Sequence, residues 1–203
     1  MLQHIAERVS RCKRLTEVAI ICPMKDFAEI SGAVPGFKIL ADSEIPEDDL
    51  VRRYWHATMS FGADVVVRVC ADNPCVDPAN IDLLVKELLD DPDKDVLNQT
   101  YLRTNAGDYK GSLWPKGLGA EIYPSILLKN LDKIVLSNLR EHPHLTFHIT
   151  HKIKEPRCPF FWGKPLPLAF DVNTQEEFAR AQRIYKHFGH NKFTSKELVE
   201  YYV

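Results

Sequence analysis

Two aspartates occupy the same kind of position far apart in this chain. Asp72 follows the apolar run of FGADVVVRVCADNPCVDP, residues 61–78, and Asp171 follows the shorter run of PLAFDVNTQEEF, residues 167–178. An ionised carboxylate at the margin of a core is costly unless something positive meets it. In an open parallel sheet, ligands bind beyond the carboxyl ends of the strands. Two carboxylates placed there can jointly hold a Mg²⁺ ion, which keeps several waters and takes further ligands from phosphate oxygens. Each aspartate also has a plainer reading: Asp72 closes a turn with Asn73 and Pro74, and Asp171 caps the helix that follows it.

Three other stretches carry reactive side chains. Pro115–Glu121, PKGLGAE, reads on its own as a glycine-rich turn with a solvated Lys116 and Glu121. Arg140, Glu141 and His142 form a charged triplet of the kind that ordinarily lies on the surface at a helix end. His142, His144, His148 and His151 invite a zinc reading, but no cysteine or carboxylate stands at a ligand spacing beside them, so a partly exposed, histidine-bearing strand competes with it. The five cysteines contain no CxxC pair and predict reduced packing residues rather than a disulfide framework.

The elements that must position these groups alternate in type. LQHIAERVSRCKR, residues 2–14, is an amphipathic helix by spacing, and TEVAIIC, residues 16–22, is a short β-rich run. Residues 37–40 offer a second strand. A helix begins near Pro46, with acidic residues in its first turn and glycine at its end. Asp64 to Ala71 is apolar and β-branched throughout, which predicts a strand covered on both faces. A helix over 78–89 and a strand over 95–99 follow. Helices are expected over 125–138, after Asp171 with a Thr174/Glu177 capping box, and near Thr194. This order predicts one α/β layered domain over residues 1–203 with a mostly parallel sheet.

Composition excludes several classes. The 45% hydrophobic and 27% charged content is that of a globular chain. With 26 Lys+Arg against 28 Asp+Glu, no broad nucleic-acid surface is advertised. No run of about 18 apolar residues can span a bilayer, and the N-terminal residues lack a signal peptide's apolar centre, so the expected location is cytoplasmic, without membrane or nucleic-acid partners.

The segments GADVVVRVCADNPCVDPANIDLLV, WPKGLGAEIYPSILL, NLREHPHLTFHI and LAFDVNTQEEFARAQRIY, in this order, resemble the spore-coat polysaccharide biosynthesis (SpsF-like) branch of the cytidylyltransferases. These are relatives of the acylneuraminate and 3-deoxy-manno-octulosonate cytidylyltransferases. The resemblance implies a Rossmann-like α/β/α sandwich of the nucleotide-diphospho-sugar transferase type. It implies transfer of CMP from CTP to a sugar or sugar acid, with release of pyrophosphate, in polysaccharide or glycan biosynthesis. It further implies Mg²⁺ on Asp72 and Asp171, with Asn73, Lys116, Gly117, Glu121, Arg140 and His142 on the substrate side, and a homodimer.

One departure stands against these matches. The family opens with a strand and a Gly-, Arg- and Lys-bearing loop that cradles the triphosphate, and this sequence starts at the segment after it. The missing strand would be central, so residues 16–22 and 64–71 are expected to pair directly or with another chain. A non-catalytic binding or assembly protein on the same fold is the competing reading. A sugar transferase with a nucleotide-sugar donor ranks below both, because no Asp-x-Asp motif ends a strand.

Overall fold

The computed structural model describes residues 1–90, 99–103, 115–125, 128, 152–154 and 168–203. Helix α1, Leu2–Val9, turns Ile5, Ala6 and Val9 inward at helical spacing. It ends short of the predicted residue 14 because the backbone N–H groups of Lys13 and Arg14 donate to the Asp82 carboxylate, at 3.0 and 2.9 Å. Strand β1, Ala19–Pro23, and strand β2, Lys38–Asp42, pair in parallel with Ile20 opposite Ile39. Helix α2, Phe27–Ala33, makes the crossover between them and buries none of its residues. That explains why its sequence carries no apolar stripe to read.

Helix α3, Leu50–Phe61, starts after the predicted Pro46, because the Asp49 side chain caps it by accepting from the Arg52 N–H at 3.1 Å. Gly62 ends it in the left-handed conformation at φ 59°. Strand β3, Val65–Arg68, is shorter than predicted and half-buried along its whole length. Helix α4, Pro78–Asp90, buries Ile81, Leu84, Val85 and Leu88. Strands β4, Gln99–Arg103, β5, Glu121–Pro124, and β6, Lys152–Lys154, follow. Residues 95–98 of the predicted strand, and the predicted helix over 125–138 apart from Ser125 and Leu128, lie outside the described residues. Helix α5, Gln175–Phe188, begins with the expected Thr174/Glu177 capping box, and helix α6, Ser195–Glu200, carries a second box from Thr194 and Glu197.

The architecture is α/β, with strands in two groups: β1–β2, and β3–β5–β4–β6. The β4–β6 pair is parallel like β1–β2, while β5 runs antiparallel to both neighbours. The expected direct pairing of residues 16–22 with 64–71 does not occur: β1 bonds to β2, and β3 to β5. Side-chain packing supplies the link instead. Val18, Val65 and Val67 lie against one apolar cluster built by Ile5 and Val9 of α1, Ile81, Leu84, Val85 and Leu88 of α4, and Ile122 of β5. Burying such a side chain contributes about 1.5–3 kcal/mol relative to exposure. Among the described residues, β3 therefore keeps one edge without a strand partner, which accounts for its half-exposure.

A second apolar cluster joins Cys75, Leu118, Phe170, Ile184, Phe193, Leu198 and Val199. Between the two sits Arg8, fully buried at 0% exposure. Its guanidinium donates to three backbone carbonyls, those of Val76 at 2.5 Å, Asn191 at 2.7 Å and Phe193 at 2.7 Å, and lies 4.3 Å over the Phe193 ring. The planar five-donor fork suits such a task, and a methionine of similar length cannot replace it. Arg8→Met leaves buried carbonyls unpaired and lowers stability by about 3 kcal/mol or more, read as a fall in the urea midpoint at unchanged slope.

Candidate functional site

The site forms where three chain segments meet at the ends of strands. After β3 the chain turns through Asn73, whose backbone N–H donates to the Cys70 carbonyl at 3.2 Å, and this turn presents Asp72. Asn73 is buried at 1% exposure. The second segment is Pro115–Ala120, leading into β5. The third is Leu168–Asn173, leading into α5. Lys116 and Ala169 form a parallel bridge, in which Lys116 N–H donates to Leu168 O at 3.2 Å and Phe170 N–H to Lys116 O at 2.8 Å. Two residues further on, Val172 N–H donates to the Asp72 carbonyl at 2.8 Å. Through that bond, standard covalent lengths hold the Cα atoms of Asp72 and Asp171 within roughly 8.5 Å of each other.

Gly117 makes this approach possible. Its φ is +82°, and a Cβ built there falls 2.3 Å from the Asp171 nitrogen and 2.7 Å from the Phe170 carbonyl carbon, closer than any side chain tolerates. The glycine thus serves backbone contact inside the protein, and its neighbour Lys116 is thrown toward Asp171. Lys116 Nζ lies 2.9 Å from Asp171 Oδ2, with side-chain exposures of 38% and 5%. Asn173 Nδ2 donates to the same oxygen at 2.7 Å.

The other carboxylate oxygens carry the chemistry. Asp171 Oδ1 and Asp72 Oδ1 are both buried and accept no hydrogen bond. Buried acceptors without partners are rare and need an explanation. Burial pushes the Asp72 carboxyl above its usual range; a bond from its own backbone opposes the shift, the Asp171 charge adds to it, and Arg68 and Lys116 draw it back. Two convergent carboxylates, each with a vacant oxygen, fit a hard divalent cation that leaves most of its coordination to water and phosphate. Among the described residues, no group of three or more His, Cys, Asp and Glu side chains could hold a metal.

Two of the plainer readings are overturned, while Asp72 does stand in a turn, the one closed by the Asn73 N–H on the Cys70 carbonyl. Asp171 is not the helix cap, because Thr174 takes that place. Glu121 is not solvated: at 3% exposure it accepts from Arg68 NH1 at 2.9 Å, across the β3–β5 register that sets the two residues opposite each other. Arg68 Cζ in turn lies 5.7 Å over the Tyr54 ring of α3. Sequence reasoning missed Arg68, although the one charge inside the run VVVRV was its signal. It also missed Asp77 and Asn80. The Asp77 carboxylate accepts from Ala79 N–H at 3.0 Å and Ser195 N–H at 2.5 Å, and Asn80 Nδ2 donates to Leu118 O at 3.2 Å and Ser195 Oγ at 2.8 Å. These bonds fasten the Asp72 turn and the Gly117 segment to one support. Arg140, His142 and the remaining histidines of the proposed zinc cluster lie outside the described residues.

A cytidylyltransferase family model matches residues 1–112, more than half of the chain. The chain belongs to the cytidylyltransferase family. The matched stretch includes Asp72 and stops just before Lys116. A curated 3-deoxy-manno-octulosonate cytidylyltransferase from Geobacter sulfurreducens is 31% identical over 97 residues, which are 45% of this chain and 36% of that protein. The match therefore spans little more than a third of the curated relative. A cytidylyltransferase structure from Leptospira borgpetersenii superposes with a TM-score of 0.78 at 20% identity, over 98% of this chain and 81% of that one. A structure of CMP:2-keto-3-deoxy-manno-octonic acid synthetase complexed with CTP gives a TM-score of 0.60 at 13% identity, over 92% and 88%. At these identities the superpositions establish the cytidylyltransferase fold.

Two outcomes follow for this family member. Gly117→Ala meets both backbone strain and the Asp171 backbone, and loses about 2 kcal/mol or more of stability. Gly36→Ala, at φ +87° with nothing within 4 Å, meets the strain alone and loses less; paired denaturant titrations read the difference. Burial raises the Cys75 thiol from 9.0 to about 12. The folded state thus holds a proton that the unfolded chain gives up: this contribution is complete below about pH 9 and disappears as pH rises toward 12. In Cys75→Ala, stability declines less steeply over that interval, as measured by urea midpoints from pH 8 to 11.

Proposed function

We propose that the chain binds CTP and a sugar acid and transfers CMP to a sugar hydroxyl, releasing pyrophosphate. The observation that carries this reading is the pair of buried, unpartnered oxygens on Asp72 and Asp171, on a chain whose family is the cytidylyltransferases. Asp72 and Asp171 would hold Mg²⁺, which when bound neutralises phosphate charge and makes the α-phosphorus a better electrophile. The residues of the chain position the reactants. Asp72, on its turn, and Asp171, pinned by Val172, fix where the α-phosphate rests, so that a sugar hydroxyl meets it in line. Arg68 holds Glu121 rigid beside them, and Glu121 accepts from the acceptor's hydroxyls with whatever lone pairs Arg68 leaves. Lys116 offers a positive charge to the triphosphate or to the acceptor carboxylate.

The motif order favours the SpsF-like branch, in polysaccharide or glycan biosynthesis and in the cytoplasm. The strand edge that β3 leaves without a partner among the described residues favours a homodimer. One observation favours the second reading, a nucleotide-binding or assembly protein without turnover: the two cations that act on Asp72 among the described residues, Arg68 and Lys116, are already engaged by Glu121 and Asp171.

Incubation with CTP, Mg²⁺ and a panel of sugar acids tests both. Pyrophosphate release that falls roughly 100-fold or more in Asp72→Asn and in Asp171→Asn supports transfer. A CTP-dependent rise in melting temperature without pyrophosphate supports the second reading. Neither signal at millimolar CTP rejects both.

A further inference from the structure

Lys116 poses a question that the metal reading alone does not answer. Its Nζ rests on Asp171 Oδ2 at 2.9 Å, and its charge also acts on the Asp72 carboxylate. Together with Arg68, it supplies from inside the chain positive charge for two converging carboxylates, and of the two it is the one in contact with Asp171. Asp171 is 95% buried on its side chain, by its 5% exposure, whereas Lys116 remains 38% exposed on a flexible four-carbon stem with an open route to solvent. An ammonium and a divalent cation repel, so each weakens the other's hold on one carboxylate pair.

We propose that Lys116 is a placeholder for the divalent cation, and that metal entry and withdrawal of the Lys116 ammonium from Asp171 are a single exchange. Lys116 and Asn173 share Asp171 Oδ2, while Oδ1 of each aspartate is buried and has no hydrogen-bond donor among the described residues. The two Oδ1 atoms are the landing point, and the occupied oxygen is contested. Entry of the ion frees Lys116 for an anionic ligand, so the chain becomes able to use this cation on substrate only when the metal is in place. The parallel bridge between Lys116 and Ala169 keeps the backbone fixed, so only the side chain moves. This inference rests on the metal reading of the same site and not on the identity of the nucleotide.

Its test uses Mn²⁺ alone, with no nucleotide, and counts free ion by electron paramagnetic resonance. Lys116→Met removes the competitor and binds Mn²⁺ roughly tenfold more tightly than the wild-type chain, and Asp171→Asn abolishes binding. The apo melting temperature of Lys116→Met falls, and saturating Mn²⁺ raises it by more than it raises the wild type. Lys116→Gln, which keeps a polar tip, gives the same two shifts and covers the case in which the methionine variant misfolds. In the wild-type chain, Mn²⁺ increases acylation of Lys116 by an amine-reactive reagent, followed by mass spectrometry. Affinity unchanged or weakened in both variants, no Mn²⁺ binding by any form, or unchanged acylation of Lys116 overturns the exchange. Tighter binding in the variants without CTP turnover sinks the proposed reaction and leaves the exchange standing; turnover with unchanged affinity does the reverse.

Discussion

The candidate site depends on one seam in the backbone, where Leu168–Val172 lies between the Lys116 segment and the Asp72 turn. On one side Lys116 donates to Leu168 and accepts from Phe170 of this segment, and on the other Val172 donates to the Asp72 carbonyl. Residues 52 and 99 positions apart in sequence are thereby fixed to one point, because main-chain bonds tolerate little variation in length or angle. The carboxylates do not seek each other, since two like charges in partial burial repel. The backbone imposes their burial and their proximity; burial first, and the Asp171 charge after it, raise the carboxyl of Asp72, and two oxygens have no donor among the described residues. Such local cost, held in place by surrounding structure, is what a preorganised ligand site requires.

The support for that seam is polar as well as apolar. Asp77 caps two helices at once, taking N–H groups at the starts of α4 and α6, and Asn80 joins Leu118 to Ser195. Asp77, Asn80, Leu118 and Ser195 are nearly fully buried, so the bonds among them are retained by the penalty of leaving a partner unsatisfied. The C-terminal helix is therefore part of the site's foundation. Its apolar residues Leu198 and Val199 share a cluster with Phe170, which immediately precedes Asp171.

Much of this was legible in the sequence, and the failures have identifiable causes. Period and capping chemistry revealed α1, α4 and α5 because each places one apolar face against a core, and the Thr174 box is a purely local signal. The pairing of Asp72 with Asp171 was readable because both follow apolar runs and stand before helices. Helix α2 was invisible because it buries nothing. The ends of α1 and α3 shifted because Asp82, 69 residues from Lys13, and Asp49 capture backbone donors that periodicity cannot weigh. The pairing of β1 and β3 was misjudged because strand-to-strand bonding was taken as the only means of joining them, when helix side chains do so. Glu121 looked like a solvated turn residue because its partner Arg68 is supplied by a strand 53 residues earlier.

Arg8 has a bearing on how the chain comes to be folded at all. It belongs to α1, yet the Phe193 carbonyl it needs lies 185 residues later. Until that late segment emerges, α1 carries an unsatisfied cation amid apolar side chains, and loop closure over such a separation is slow. Productive burial of α1 in that sense waits for the late segment, and a nascent chain that lacks it carries a helix whose cation has yet to meet its carbonyls.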